Sequence, residues 1–274
     1  MATFRIRLLE ALLLFSITGG VTHATTNETT IIYFYNPEIN ITRNALLKNT
    51  FDLYLEAQGD YQFQPVDNKA TFETLIKDKN NAIFMMSNWH YLQLKKTSLL
   101  NTATLALRGT KDGKDTYHKI LVGKQHKLDL QTMSLATSGN EEYSRSILSD
   151  IYSQQSIDKF SSLNVLAVPK DIDALMAVGF GLADAALSTK SSLDKLFILY
   201  KQQNQPLHIL GESKALKRLA VVFKQIPLAK HRQIQSILQR MATDKKGKQG
   251  LNMLGLDDWR LVDERLTKNK GPEE

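Results

Sequence analysis

The sequence predicts an α/β fold divided into two parts, and three observations predict it. From residue 31 onward, short apolar runs rich in β-formers alternate with amphipathic stretches, the pattern of βαβ units on a parallel sheet. The composition, 42% apolar and 23% charged, suits a packed core rather than a disordered chain. Midway, the polar, glycine-bearing segment GTKDGKD (109–115) interrupts the alternation and reads as a crossover between two lobes.

The N-terminus is read separately. Arg5 and Arg7 precede an apolar run from Leu8 to Thr18, followed by Gly19-Gly20 and Thr22-His23-Ala24. That order is the pattern of a secretory signal with a small-residue cleavage site. The run is shorter than the ~20 apolar residues of a membrane span and contains Glu10. Residues 1–24 are therefore expected to be removed, leaving an exported chain that starts near Thr25. The chain has no cysteine, which excludes disulfides, thiolate nucleophiles, a lipid anchor on cysteine and Cys-ligated metal sites. A periplasmic location without lipid attachment fits best. The sequons at Asn27 and Asn40 are taken as chance.

The elements follow in order. Ile31 to Tyr35 (IIYFY) is a buried strand ended by Asn36-Pro37. A helix over about 43–57 places Leu47, Phe51, Tyr54 and Leu55 on one face, and Gly59 stops it. Tyr61, Phe63 and Val66 mark a second strand, and Thr71 to Lys77 a short helix. Ala82 to Met86 is a third strand, ended by Ser87-Asn88. Thr102 to Arg108 is a fourth. After the crossover come strands at Lys119–Val122 and Ser134–Ala136, then a helix to about Ser153. Asn164–Val168 and Ala183–Leu187 are strands around a helix at Asp171–Phe180. Helix 191–203 turns Leu193, Leu196, Phe197 and Tyr200 inward. Leu216–Phe223 reads as one strand returning to the first lobe, and 228–266 as a basic, amphipathic helical tail.

Several chemistries find no support. The five histidines after the signal share no i,i+2 or i,i+4 spacing, so no metal motif is present. No G-x-S-x-G, P-loop or G-x-G-x-x-G appears. No nucleophile–base set can be assigned around Ser138, so no enzyme, catalytic residue or cofactor is expected. The charge of +7 does not call for nucleic acid. The basic positions between Lys214 and Lys248 read first as a solvated face.

Thr137-Ser138-Gly139-Asn140 stands where a strand turns into a helix. A helix N-terminus offers free N–H groups and partial positive charge, and hydroxyls add donors, which suits an anion. A plain N-cap by Ser138 or Asn140 is the competing reading. Other cleft candidates follow from strand ends, because open α/β sheets bind ligands beyond their carboxyl edges. These are Tyr35 and Asn36 after the first strand, Ser87, Asn88, Trp89 and Tyr91 after the third, and Tyr117 after the crossover.

The order of elements resembles the type 2 periplasmic substrate-binding proteins of ABC transporters, most closely their phosphate/phosphonate-binding branch. The carrying segments are IIYFYNPE, AIFMMSNWHY, TYHKILVGK, LATSGNEEYSRSIL, DALMAVGFGLADAALS and GKQGLNMLGLDDW. The resemblance implies a two-lobed fold, each lobe a mixed sheet flanked by helices, joined by hinge crossovers. Lobe one would hold 25–110 and 212–274, and lobe two 111–211. It also matches Asp184 to a common Asp that bonds the cleft or only braces the neighbouring loop, while Asp171 joins the ligand-binding candidates as an acceptor for a ligand amine or a protonated oxygen. Two departures stand out. Ala136 replaces a hydroxyl of the related Ser-Thr-Ser-Gly pattern, and Lys170-Asp171-Ile172 stands where a Ser-His pair is usual.

The expected function is periplasmic capture of a small ligand, of phosphate or phosphonate type, for an inner-membrane ABC permease. The alternative is the same fold retuned as a sensor or trafficking protein for a lipid- or sterol-like ligand, suggested by Phe34, Met85, Met86 and Trp89. A small-molecule ligand, a permease or sensor partner, a monomer and no nucleic acid complete the expectation.

Overall fold

The computed structural model describes residues 29–39, 44–129, 132–152, 163–199 and 207–262. The expected signal at 1–24, Asn27, Asn40, Tyr200 and the end of the tail lie outside the described residues.

The first sheet is built from β1 (Thr30–Tyr35), β2 (Tyr61–Pro65), β3 (Ala82–Met86), β4 (Ala103–Thr110), β12 (Ala220–Lys224) and β13 (Asp258–Leu261). Their order is β13-β4-β12-β3-β1-β2. β1 runs parallel to β2 and β3, whereas β12 is antiparallel to β3 and β4. Alternation along β1 sends successive side chains to opposite faces. Ile32 and Phe34 join Phe51 of α1 (Asn44–Leu55), Ile237 of α7 (Leu228–Arg240) and Leu251 of α8 (Lys245–Met253). Tyr33 and Tyr35 join Phe72 of α2 (Lys69–Asp78) and Leu94 of α3 (Asn88–Lys96). Both faces are covered, so β3 and β12 are buried along their whole length and read as continuous apolar runs.

The second sheet contains β6 (Ile120–Gly123), β7 (Ser134–Thr137), β8 (Asn164–Ala167), β9 (Ala185–Ser188) and β10 (His208–Glu212), in the order β10-β6-β9-β7-β8. One face packs Val122, Ala136 and Ala186 against α5 (Asp171–Gly179) and α6 (Lys190–Leu199). The other packs Leu121, Leu135 and Leu187 against α4 (Glu141–Ile151).

The chain passes between the sheets twice, and the two passages pair with each other. β5 (Thr116–Tyr117) and β11 (Leu216–Lys217) form an antiparallel ribbon, with Leu216 opposite Tyr117 and Lys217 opposite Thr116. The strand expected over Leu216–Phe223 is therefore broken. The Arg218 N–H donates to the Asp115 carbonyl and the Leu219 carbonyl accepts from Gly109 N–H. At that point the partner changes from β5 to β4, and one strand becomes two.

The tail also differs from expectation. It is helical only in α7 and α8, and then forms β13, which closes the edge of the first sheet against β4. Trp259, 1% exposed, anchors it in the core beside Leu254 and Leu256. β10 was not expected at all. Among the described residues no helix is long and apolar enough to cross a membrane.

Candidate functional site

The carboxyl ends of β1 and β3 in the first sheet meet those of β7 and β9 in the second. β1 leads into the turn Asn36–Ile39, where Asn36 Oδ1 accepts the Glu38 N–H at 3.0 Å. β3 leads into α3, capped by Ser87 Oγ, which accepts the His90 N–H at 3.1 Å. β7 leads into α4, capped by Asn140 Oδ1, which accepts the Tyr143 N–H at 2.9 Å. Both short polar side chains satisfy donors that a helix start leaves free. Between the sheets lies a groove of about 420 Å³ lined by Tyr35, Asn36, Pro37, Gly139, Asn140 and Ala167, among others. A smaller cavity of about 170 Å³, lined by Thr30, Lys79 and Lys230, lies at the amino ends of β1 and β3, away from this meeting point.

The sheets are in contact around the groove. The Asn140 N–H donates to the Pro37 carbonyl at 2.8 Å. Trp89 Nε1 donates to Ser146 Oγ at 3.0 Å, and its ring meets Tyr143 edge-on at 5.9 Å. Lys69 pairs with Glu142 at 2.7 Å. At the centre is Glu38, 8% exposed. Its carboxylate accepts from the Tyr117 hydroxyl at 2.7 Å and lies by the start of α3, near the Trp89 backbone N–H. The Tyr143 hydroxyl is 3.0 Å from that of Tyr117 and, with Tyr117's proton committed to Glu38, serves as its donor. Burial pushes the Glu38 carboxyl up, while Tyr117, Lys119 and the Trp89 N–H pull it down. Burial first, then the nearby carboxylate, also holds Tyr117 and Tyr143 well above the usual phenol range.

The second carboxylate is Asp171, the first residue of α5. Lys119 Nζ lies 2.7 Å from its Oδ1, with the lysine side chain 4% and the aspartate 19% exposed. Ser138 Oγ lies 2.6 Å from the same oxygen and 3.4 Å from the Glu38 carbonyl. Its single proton goes to the carboxylate. Asp171 is thus an acceptor that balances a buried lysine. Thr137 Oγ1 accepts the Gly139 N–H at 3.1 Å and is 3.2 Å from Ser144 Oγ. A Cβ on Gly139 would stand 2.5 Å from the Tyr143 ring and 3.4 Å from the Glu38 carbonyl, so this glycine permits the close approach of the turn.

Most of the residues chosen from the sequence converge here: Tyr35, Asn36, Ser87, Trp89, Tyr117, Thr137 to Asn140 and Asp171. Asn88 stands at the start of α3, but its Oδ1 accepts from the Arg108 guanidinium. Two others lie apart from the groove. Asp184 accepts from the Ser134 N–H at 2.8 Å and Ser134 Oγ at 2.7 Å. Those hydrogen bonds hold its carboxyl below the usual range. It precedes β9 and braces the amino end of β7, roughly 10 Å along the strand from Thr137. Tyr91 is packed in the α2/α3 core, with the Arg108 guanidinium 5.8 Å from its ring. Glu38, Lys119, Tyr143 and Ser146 were not singled out. Glu38 lies within IIYFYNPE, where an acid after a proline carries no local sign of burial.

The family model described as the periplasmic substrate-binding protein of phosphonate ABC transporters matches residues 50–266. No curated protein matches the chain. Among solved structures, PhnD1 from Prochlorococcus marinus in complex with methylphosphonate is 12% identical with a TM-score of 0.60, over 88% of this chain and 96% of that one. A binding protein component of an ABC phosphonate transporter from Pseudomonas aeruginosa is 12% identical with a TM-score of 0.58, over 86% and 83%. A Xanthomonas citri protein bound to ATP is 13% identical with a TM-score of 0.58, over 88% and 94%. At these identities the likeness is one of fold, two α/β lobes about a cleft.

Proposed function

The chain belongs to the periplasmic substrate-binding proteins of phosphonate ABC transporters, and from that premise we propose that it holds a small phosphate- or phosphonate-class anion between its two sheets and presents it to an inner-membrane permease. The observation that carries this reading is the convergence of two helix N-termini on one turn beside the groove: α4 reaches Pro37 through the Asn140 N–H and lines the groove with Gly139 and Asn140, and α3 starts against Glu38. Each offers N–H donors and partial positive charge where strands of an open sheet end. In the described arrangement the Asn36–Ile39 turn covers these donors, so solute entry requires the lobes to part. The reading divides the chain into 25–110 with 212–274, and 111–211.

A lipid- or sterol-like cargo is disfavoured. Met85 and Met86 are enclosed in the core, Phe34 is 1% exposed, and the Trp89 N–H is committed to Ser146.

Calorimetric titration with methylphosphonate and with inorganic phosphate tests the anion. Each hydrogen bond lost to a charged group costs roughly 1.5–3 kcal/mol. On binding, the Ser138 and Thr137 hydroxyls turn from Asp171 and Ser144 to the anion, so Thr137→Ala with Ser138→Ala is expected to weaken either anion about a hundredfold, ~3 kcal/mol. Affinity equal to wild type in the double variant places the site elsewhere. Export is tested separately: N-terminal sequencing of the periplasmic protein is expected to begin at or within a few residues of Thr25, and a retained Met1 contradicts it.

A further inference from the structure

We propose that Glu38 is a built-in pseudo-ligand that sets the anion selectivity of the cleft, an inference that rests on the interlobe cleft being the solute site. A single turn occupies both helix N-termini that a solute anion would use. Its Pro37 carbonyl takes the Asn140 N–H of α4 at 2.8 Å, and its Glu38 carboxylate sits against the start of α3, where the Trp89 backbone N–H favours its charge. The carboxylate also takes the Tyr117 hydroxyl from the ribbon joining the lobes. Glu38 thus makes, with protein groups alone, the contacts expected of a bound oxyanion. The turn is braced for this, since Asn36 Oδ1 holds the Glu38 N–H at 3.0 Å.

The neighbouring charges sharpen the consequence. Asp171 is the second carboxylate, and Lys119, nearly fully buried, is already paired with it. Arg218, stacked on the Tyr117 ring at 5.1 Å, feels Glu38 only as a charge, through Coulomb attraction. A dianion entering beside Glu38 meets like charge in a place shielded from water, where such juxtaposition is costly. It binds only by expelling the carboxylate from its seat. Glu38 is therefore an intramolecular competitor, and its charge lowers the affinity for anions that bring no hydrogen-bond donor of their own.

Two variants separate the charge from the plug. Glu38→Gln keeps an acceptor for Tyr117 and the Trp89 N–H and removes the charge. Glu38→Ala removes the plug. Titration of inorganic phosphate into the purified protein is expected to give a Kd at least about tenfold lower for Glu38→Gln than for wild type. Small-angle scattering without added ligand is expected to show a larger radius of gyration for Glu38→Ala and an unchanged one for Glu38→Gln. Circular dichroism checks that both variants are folded. A wild-type phosphate Kd in Glu38→Gln, or a Glu38→Ala protein as compact as wild type, overturns the proposal. If phosphate binds to none of the three proteins, it is the phosphate-class reading that fails. The scattering result then decides the plug alone, with opening upholding it and compactness overturning it.

Discussion

Asp171→Ala is expected to destabilise the ligand-free protein by about 3 kcal/mol in urea unfolding. The change leaves Lys119 buried without its counter-ion and Ser138 without its acceptor. Breaking a buried pair by removing one partner costs roughly 3–5 kcal/mol. The lower end applies because the aspartate retains 19% exposure and water screens it in part. Removing both charges is a different matter, since an apolar pair of similar volume can replace a buried ion pair at little cost. Lys119→Met combined with Asp171→Leu is therefore expected to recover most of the loss. If Asp171 instead serves the solute directly, Asp171→Ala leaves the unfolding midpoint of the empty protein unchanged and alters only affinity. The two outcomes are separated by measuring stability with no ligand present.

Trp259→Ala is expected to cost about 3–5 kcal/mol, as large-to-small changes of buried aromatics do. Trp259 is the one fully buried side chain of β13, whose pattern is exposed, buried, exposed, exposed. It fixes an edge strand to a core shared with α1, α7 and α8. Its indole nitrogen has no hydrogen-bond partner in the described structure, so the loss comes from packing rather than from a broken hydrogen bond. Trp259→Phe is expected to retain more than half of the stability lost in Trp259→Ala. Equal losses for Phe and Ala in thermal or urea unfolding contradict this account.

The parts of the fold that could be read from the sequence are those where burial is complete. β1, β3 and β12 lie between helices on both faces, so Ile31–Tyr35, Ala82–Met86 and Ala220–Phe223 are apolar without interruption. β10 and β13 are edge strands with mostly exposed or half-exposed residues, and a single buried tryptophan gives no period to detect. The same distinction applies to the site. Thr137 to Asn140 could be found because a helix start has a local signature, and Asn140 does cap α4. Glu38 could not be, because an acid after a proline looks like any solvated turn residue. Its burial comes from Tyr117, 79 residues away, and from closure of one sheet on the other. Lys119 and Asp171, 52 residues apart, likewise become partners only when the second sheet is assembled. Asp184 had only family position to choose between the cleft and the neighbouring loop, and its place just before β9 sets it against Ser134 at the amino end of β7.

The pairing of β5 with β11 has a mechanical meaning. Two separate tethers would let the lobes slide and rock independently of one another. Hydrogen-bonded to each other at Thr116–Lys217 and Tyr117–Leu216, they bend together as one spine, and opening reduces to rotation about a single line. Tyr117 belongs to that spine and also donates to Glu38. The axle of the movement therefore grips the object at the centre of the seat. In the proposed opening, turning the spine also empties the seat, so the angle between the lobes would gauge what occupies the space between them.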